Sequence, residues 1–146
     1  MIFLEDIEKL TLENTDYRRV IYTSDYSQLV LMSIPVGEDI ELEIHPYVDQ
    51  FFRIEQGKGE LIIGEKQQEK YTFQDRSGIV IPHNTYHRIV NVGRIPLKLY
   101  TIYAPPQHDK HKVEHSKIKE KPKDELMHKK YQKLLQLLTI SNLRYL

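Results

Sequence analysis

Between residues 17 and 103 the apolar residues fall in short alternating runs, divided by turn-forming residues at close intervals. Residues 20–23, 28–34, 39–45, 50–56, 60–63, 71–73, 78–81, 87–91 and 97–103 have strand length and are rich in β-branched and aromatic side chains. Ser24-Asp25, Pro35-Val36-Gly37, Pro46-Tyr47 and Gly57-Lys58-Gly59 separate them. Gly57-Lys58-Gly59 and Gly64-Glu65-Lys66 read as hairpin turns. So many short strands predict an all-β sandwich or barrel. Ahead of them, Ile2, Phe3, Leu4, Ile7, Leu10 and Leu12 suggest a short, partly helical element that packs on the barrel.

The pattern changes after Pro105-Pro106, because proline cannot continue a ladder. Residues 107–123 are rich in Lys and His with almost no apolar side chains, which predicts a solvated basic linker or arm carrying His108, His111 and His115. From 124 to 140 the spacing turns helical. Leu126, Met127, Tyr131, Leu134, Leu135 and Leu138 fall on one face, and Lys129, Lys130, Lys133 and Gln136 mostly on the other. The expected division is therefore a barrel with its N-terminal element over 1–106, a linker over 107–123 and an amphipathic helix over 124–146. On this division the tail is dispensable for any site in the barrel.

Composition narrows the function classes. A chain of 146 residues suits one domain with a real core. Its 21 basic and 21 acidic residues cancel, so no global field points to nucleic acid. The signs are unevenly placed: residues 105–146 carry a net of +5 and residues 1–104 a net of −5. The absence of cysteine excludes disulfides and thiolate zinc sites. With no signal peptide or long apolar run, the expectation is a soluble, cytoplasmic protein with no membrane partner.

Strand parity gathers candidate chemistry. Glu43 and His45 share a strand face about 7 Å apart, while Ile44 points away. Gln50 follows a turn at 46–49 and returns on a neighbouring strand, and His87 arrives from a separate hairpin. A carboxylate, an amide oxygen and two imidazoles converging in one barrel suit a divalent ion such as manganese, iron, nickel or zinc. Phe52 and Ile54 share parity with Gln50 and are expected to line a substrate pocket, with Tyr86, Tyr100 and Tyr103 as wall or mouth residues. His83, in the turn before His87, is the candidate general acid or base. Asn91 reads as a turn residue or a support for the ligands, and Arg88 as surface.

Two spacings carry a resemblance. Gly37, five residues, Glu43, one residue, His45, four residues, Gln50, six residues and Gly57 resemble the first cupin motif. Pro82, one residue, Asn84, two residues, His87, three residues and Asn91 resemble the second, with Asn84 in place of the usual turn glycine. The likeness extends over about residues 20–106. It is strongest to small single-domain cupins similar to mannose-6-phosphate isomerase, through Glu43-x-His45, Asp49-Gln50-Phe51 and Leu99-Tyr100-Thr101-Ile102-Tyr103-x-Pro105-Pro106. The resemblance implies a jelly-roll barrel, a divalent metal on Glu43, His45, Gln50 and His87, and a homodimer. It also implies isomerisation of a small substrate, a phosphosugar among the candidates, through a metal-stabilised enediolate. An iron or other metal dioxygenase on the same ligands and a non-catalytic sugar-binding module are the alternatives.

Overall fold

The computed structural model describes residues 1–117, 132–134, 136 and 137. Helix α1 (Ile7–Glu13) opens the chain, with the Asp6 side chain capping it by accepting the Lys9 amide at 3.0 Å. It packs against β2 (Gln28–Ile34), β4 (Asp49–Gln56) and β9 (Leu97–Ala104). The other strands are β1 (Arg18–Thr23), β3 (Asp39–Glu43), β5 (Lys58–Ile63), β6 (Glu69–Gln74), β7 (Gly78–Ile81), β8 (His87–Asn91) and β10 (Val113–Glu114). All nine strands expected from the alternating runs are present, and β10 is additional.

Two antiparallel sheets face one another, as in a jelly roll. The larger has the order β10-β1-β2-β9-β4-β7 and the smaller β3-β8-β5-β6. Their facing side chains form the core, including Val30, Met32, Ile34, Phe52, Ile54, Ile89, Leu97 and Leu99. Register places Gln28 beside Tyr103 and Tyr103 beside Gln50, so one row of inward side chains crosses β2, β9 and β4 at one end of the large sheet.

One expectation differs from what is found. Gly57-Lys58-Gly59 is a corner rather than a hairpin, because β4 belongs to the large sheet and β5 to the small one. Gly57 has φ +98 there, and a Cβ at Gly59 would meet the Phe73 ring at 2.2 Å. The turn at Gly64 does join a hairpin, between β5 and β6.

Of the expected linker or arm, residues 107–117 are exposed over most of their length yet form an arm held on the barrel, and residues 118–123 lie outside the described residues. Val113 and Glu114 pair with Arg19 and Arg18 as an edge strand. Polar contacts replace the apolar anchors that the sequence lacks. Arg18 bonds Glu114 at 3.1 Å, Lys112 meets Glu114 at 2.8 Å, His115 meets Asp16 at 2.6 Å, and Lys117 pairs with Asp39 and Glu41. Of the helix expected over 124–140, residues 132–134, 136 and 137 are described. They are helical and exposed, Leu134 included. Leu126, Met127, Tyr131, Leu135 and Leu138 lie outside the described residues.

Candidate metal centre

Glu43 ends β3 directly opposite His87 on β8, after a bulge between Ile40 and Glu43. His45 follows in the connection to β4. Its carbonyl oxygen accepts the Asn84 amide at 2.7 Å, which pins the 82–86 turn against it. Asn84 sits at φ +60, a conformation asparagine tolerates better than most residues, which accounts for its place in the motif.

The polar atoms converge. Glu43 Oε1 lies 3.4 Å from His45 Nε2 and 3.4 Å from His87 Nε2. His87 Nε2 lies 3.1 Å from the side-chain oxygen of Gln50. Neighbouring ligands held about 2.1 Å from a first-row ion stand about 3.0–3.4 Å from one another, so these separations suit one shared cation. His87 Nδ1 lies 2.8 Å from the Thr85 carbonyl oxygen, which fixes Nδ1 as the donor and leaves the Nε2 lone pair facing inward. Gln50 donates its amide to Thr101 Oγ1 at 3.0 Å, which turns its oxygen toward His87.

Burial and unmet polarity complete the fit. His45, Gln50 and His87 are buried. Glu43 Oε1 and His45 Nε2 are shielded from solvent without a hydrogen-bond partner, because their 3.4 Å contacts are electrostatic and not aligned as hydrogen bonds. Two orphaned buried atoms on convergent oxygen and imidazole groups fit a divalent ion. Burial pushes the Glu43 carboxyl upward, yet His45 and His87 outweigh it and hold that carboxyl below the usual range.

The other expected site residues divide. Phe52 and Ile54 are fully buried, with the Phe52 ring 6.3 Å from that of His87 and Ile54 one row deeper in the core. Tyr100 faces the opposite side of β9, against Phe51 at 6.4 Å, so it does not line the interior. Strand parity puts Thr101 and Tyr103 there instead. Tyr86 is half-buried beside the β5–β6 hairpin, its carbonyl accepting the Gly64 amide. His83 is exposed, and both its amide and its ring contact Asp49. Asn91 is buried at the end of β8, donating to the Ile34 and Ile95 carbonyls and accepting from Gly93. Arg88 pairs with Asp39 and Gln67.

Two neighbours of the centre escaped the reading of the sequence. Arg18 is buried with its Nε unpartnered; burial opposes its charge, and Tyr103, Glu43 and Glu114 sustain it. Its parity with Val20 was the available signal. His108, from the arm, lies edge-on to Tyr103 at 4.9 Å, and Tyr103 in turn lies edge-on to His45 at 5.8 Å.

Barrel, ligand geometry and motif spacing agree with one further observation: residues 30–103 match the Cupin_2 family, described as a cupin domain. The chain is a cupin. This cupin is 48% identical over 110 residues to the uncharacterised protein YrkC of Bacillus subtilis (strain 168), covering 73% of this chain and 59% of YrkC. It is 44% identical over 108 residues to the uncharacterised protein L612 of Acanthamoeba polyphaga mimivirus, covering 73% and 68% of the two chains. The chain thus spans less than two thirds of the length of YrkC. The crystal structure of BH2720 from Bacillus halodurans aligns with a TM-score of 0.77 at 45% identity, covering 79% of this chain and 89% of that one. Among the described residues no helix is long and apolar enough to cross a membrane.

Proposed function

We propose that this cupin is a metal-dependent enzyme of the sugar isomerase type, similar to mannose-6-phosphate isomerase in its chemistry. The convergence of Glu43, His45 and His87, with two orphaned buried atoms and the Gln50 oxygen beside them, supports this reading. A divalent ion held there would polarise adjacent carbonyl and hydroxyl oxygens and stabilise an enediolate. Glu43 supplies one negative charge, and Arg18 is paired with Glu114. The loaded centre would thus carry about one net positive charge, matched to the single charge of an enediolate. Phe52 and Ile54 keep water from the floor of the site. Among the described residues the buried cation near the centre is Arg18, already tied to Glu114, so a sugar or hydroxycarbonyl suits the site better than a dianionic phosphate.

Metal analysis of protein purified without a polyhistidine tag, followed by aldose–ketose exchange in deuterated water, tests this function. Bound metal with deuterium entering the carbon next to the carbonyl supports the isomerase. Metal with oxygen uptake and no exchange supports a dioxygenase. Binding of sugars without metal or turnover supports a binding module.

A further inference from the structure

A substrate with adjacent oxygens, one directed at a metal ion, needs a partner for the other, and the centre's own ligands are occupied. The arm offers one. Gln28, fully buried, grips its backbone from both sides: the side-chain oxygen accepts the amides of Gln107 at 3.2 Å and His108 at 2.9 Å, and the side-chain nitrogen donates to the His108 carbonyl at 2.8 Å. The clamp, Tyr103 and Gln50 belong to one row across β2, β9 and β4, so His108 is fixed at the end of the barrel that holds the ligands. Its ring packs edge-on against Tyr103, one ring removed from His45. Its Nε2 is buried and has no hydrogen-bond partner.

A buried unpaired nitrogen is costly and asks for an explanation, and a second oxygen of the substrate supplies one. Burial, with Arg18 and Lys112 nearby, pushes the His108 imidazole down to about 3, against the smaller opposing pull of Glu43. So weak a base is ill-suited to take a proton from carbon at neutral pH, but a neutral imidazole is a serviceable hydrogen-bond partner for an oxygen. We infer that His108 contacts the substrate through Nε2 and that the site takes molecules with vicinal oxygens, such as α-hydroxycarbonyl compounds. This rests on the metal centre of the isomerase reading above. Residues 107–117 then form one wall of the site rather than a dispensable tail.

Cobalt(II)-loaded protein titrated with two probes tests the contact. Glycolohydroxamate and acetohydroxamate share the chelating group, and the first alone carries an added hydroxyl. Native protein should bind glycolohydroxamate at least tenfold more tightly. His108→Phe, which keeps a ring against Tyr103, should bind both probes within about threefold of one another. His108→Gln, which keeps a polar end, should fall between, and covers the case in which the Phe variant does not fold. Equal preference in native and variant proteins, or no preference in the native protein, overturns the inference. Failure to take up cobalt removes the centre and the inference together. The preference without any aldose–ketose exchange leaves His108 in contact with the ligand and removes only the isomerase.

Discussion

The side-chain oxygen of Gln50 stands 3.1 Å from Nε2 of His87, and both atoms face inward as acceptors. Two acceptors hold such a distance comfortably when a cation or a proton lies between them. Thr101 sets this arrangement by taking the Gln50 amide. Thr101→Val keeps the volume and deletes that acceptor, freeing Gln50 to rotate. Metal affinity should fall about tenfold, the lower end of what loss of a ligand's support costs. Titration calorimetry with the native metal checks it, and an unchanged affinity would remove Gln50 from the coordination sphere.

The ligands themselves should behave more severely. His87→Ala, or Glu43→Gln with its lost charge, should reduce bound metal from about one per chain to a trace under dialysis, because ligands in a closed barrel are not easily replaced. A saturating ion also stabilises the form that binds it, by about 2.7 kcal/mol at one hundred times its dissociation constant. Added metal should therefore raise the Tm of the native protein and leave both variants unmoved. A rise of equal size in His87→Ala would place the ion elsewhere.

Asn84 tests how the turn serves the site. It occupies φ +60 and donates its amide to the His45 carbonyl, so the backbone bond survives any side chain that tolerates the angle. Asn84→Ala should cost about 1 kcal/mol in urea unfolding, and Asn84→Gly should be neutral within about 0.5 kcal/mol. Equal losses from both would show that the side chain, and not the angle, is what the turn requires.

The barrel was legible because strands such as β4 and β9 alternate: parity put Gln50, Phe52 and Ile54 on one inner face and gave Glu43 and His45 a shared face. The same rule applied to β9 from Leu97 selects Thr101 and Tyr103, and excludes Tyr100. The arm was illegible for a different reason. Hydrophobic patterning detects burial by apolar side chains, whereas residues 107–117, exposed over most of their length, are held through ion pairs and through a glutamine eighty residues away in sequence. No local pattern encodes such a contact. His83 was singled out because its turn precedes His87, and its exposed side chain contacts Asp49.

The arm's ion pairs include a buried one. Arg18 and Glu114 are both nearly inaccessible, so removing the carboxylate strands a guanidinium in the interior. Glu114→Ala should destabilise the protein by about 3 kcal/mol, the lower end for breaking a buried pair. Guanidinium unfolding of the variant measures it, and a loss under about 1 kcal/mol would mean that water reaches Arg18.

The same arm should loosen in acid, and the shifts of His108, Asp16, Asp39 and Glu114 agree in sign. Released His108 protonates near its ordinary value of about 6.5, whereas docked His108 does not until about 3. Between those values the released arm binds the extra proton, so docking weakens as pH falls. Docked Asp16 is held low by His115 and then Arg19, against burial. Docked Asp39 and Glu114 are also held low, burial being outweighed by Lys117 and Arg88 for the first and by Lys112 and Arg18 for the second. Their contribution is present above the usual carboxylate range and is lost as pH falls through their lowered values, which steepens the loss below about 4. The amides of Tyr17 and Val20 donate to the His115 and Lys112 carbonyls, so they report arm opening directly. Corrected for intrinsic exchange, their opening should rise by up to tenfold per pH unit below about 6.5, the slope for one proton. In His108→Gln the rise should begin only near pH 4. Opening that stays flat from pH 7 to 4 in the native protein would mean that His108 is not buried in solution, and the arm would then be no wall of the site.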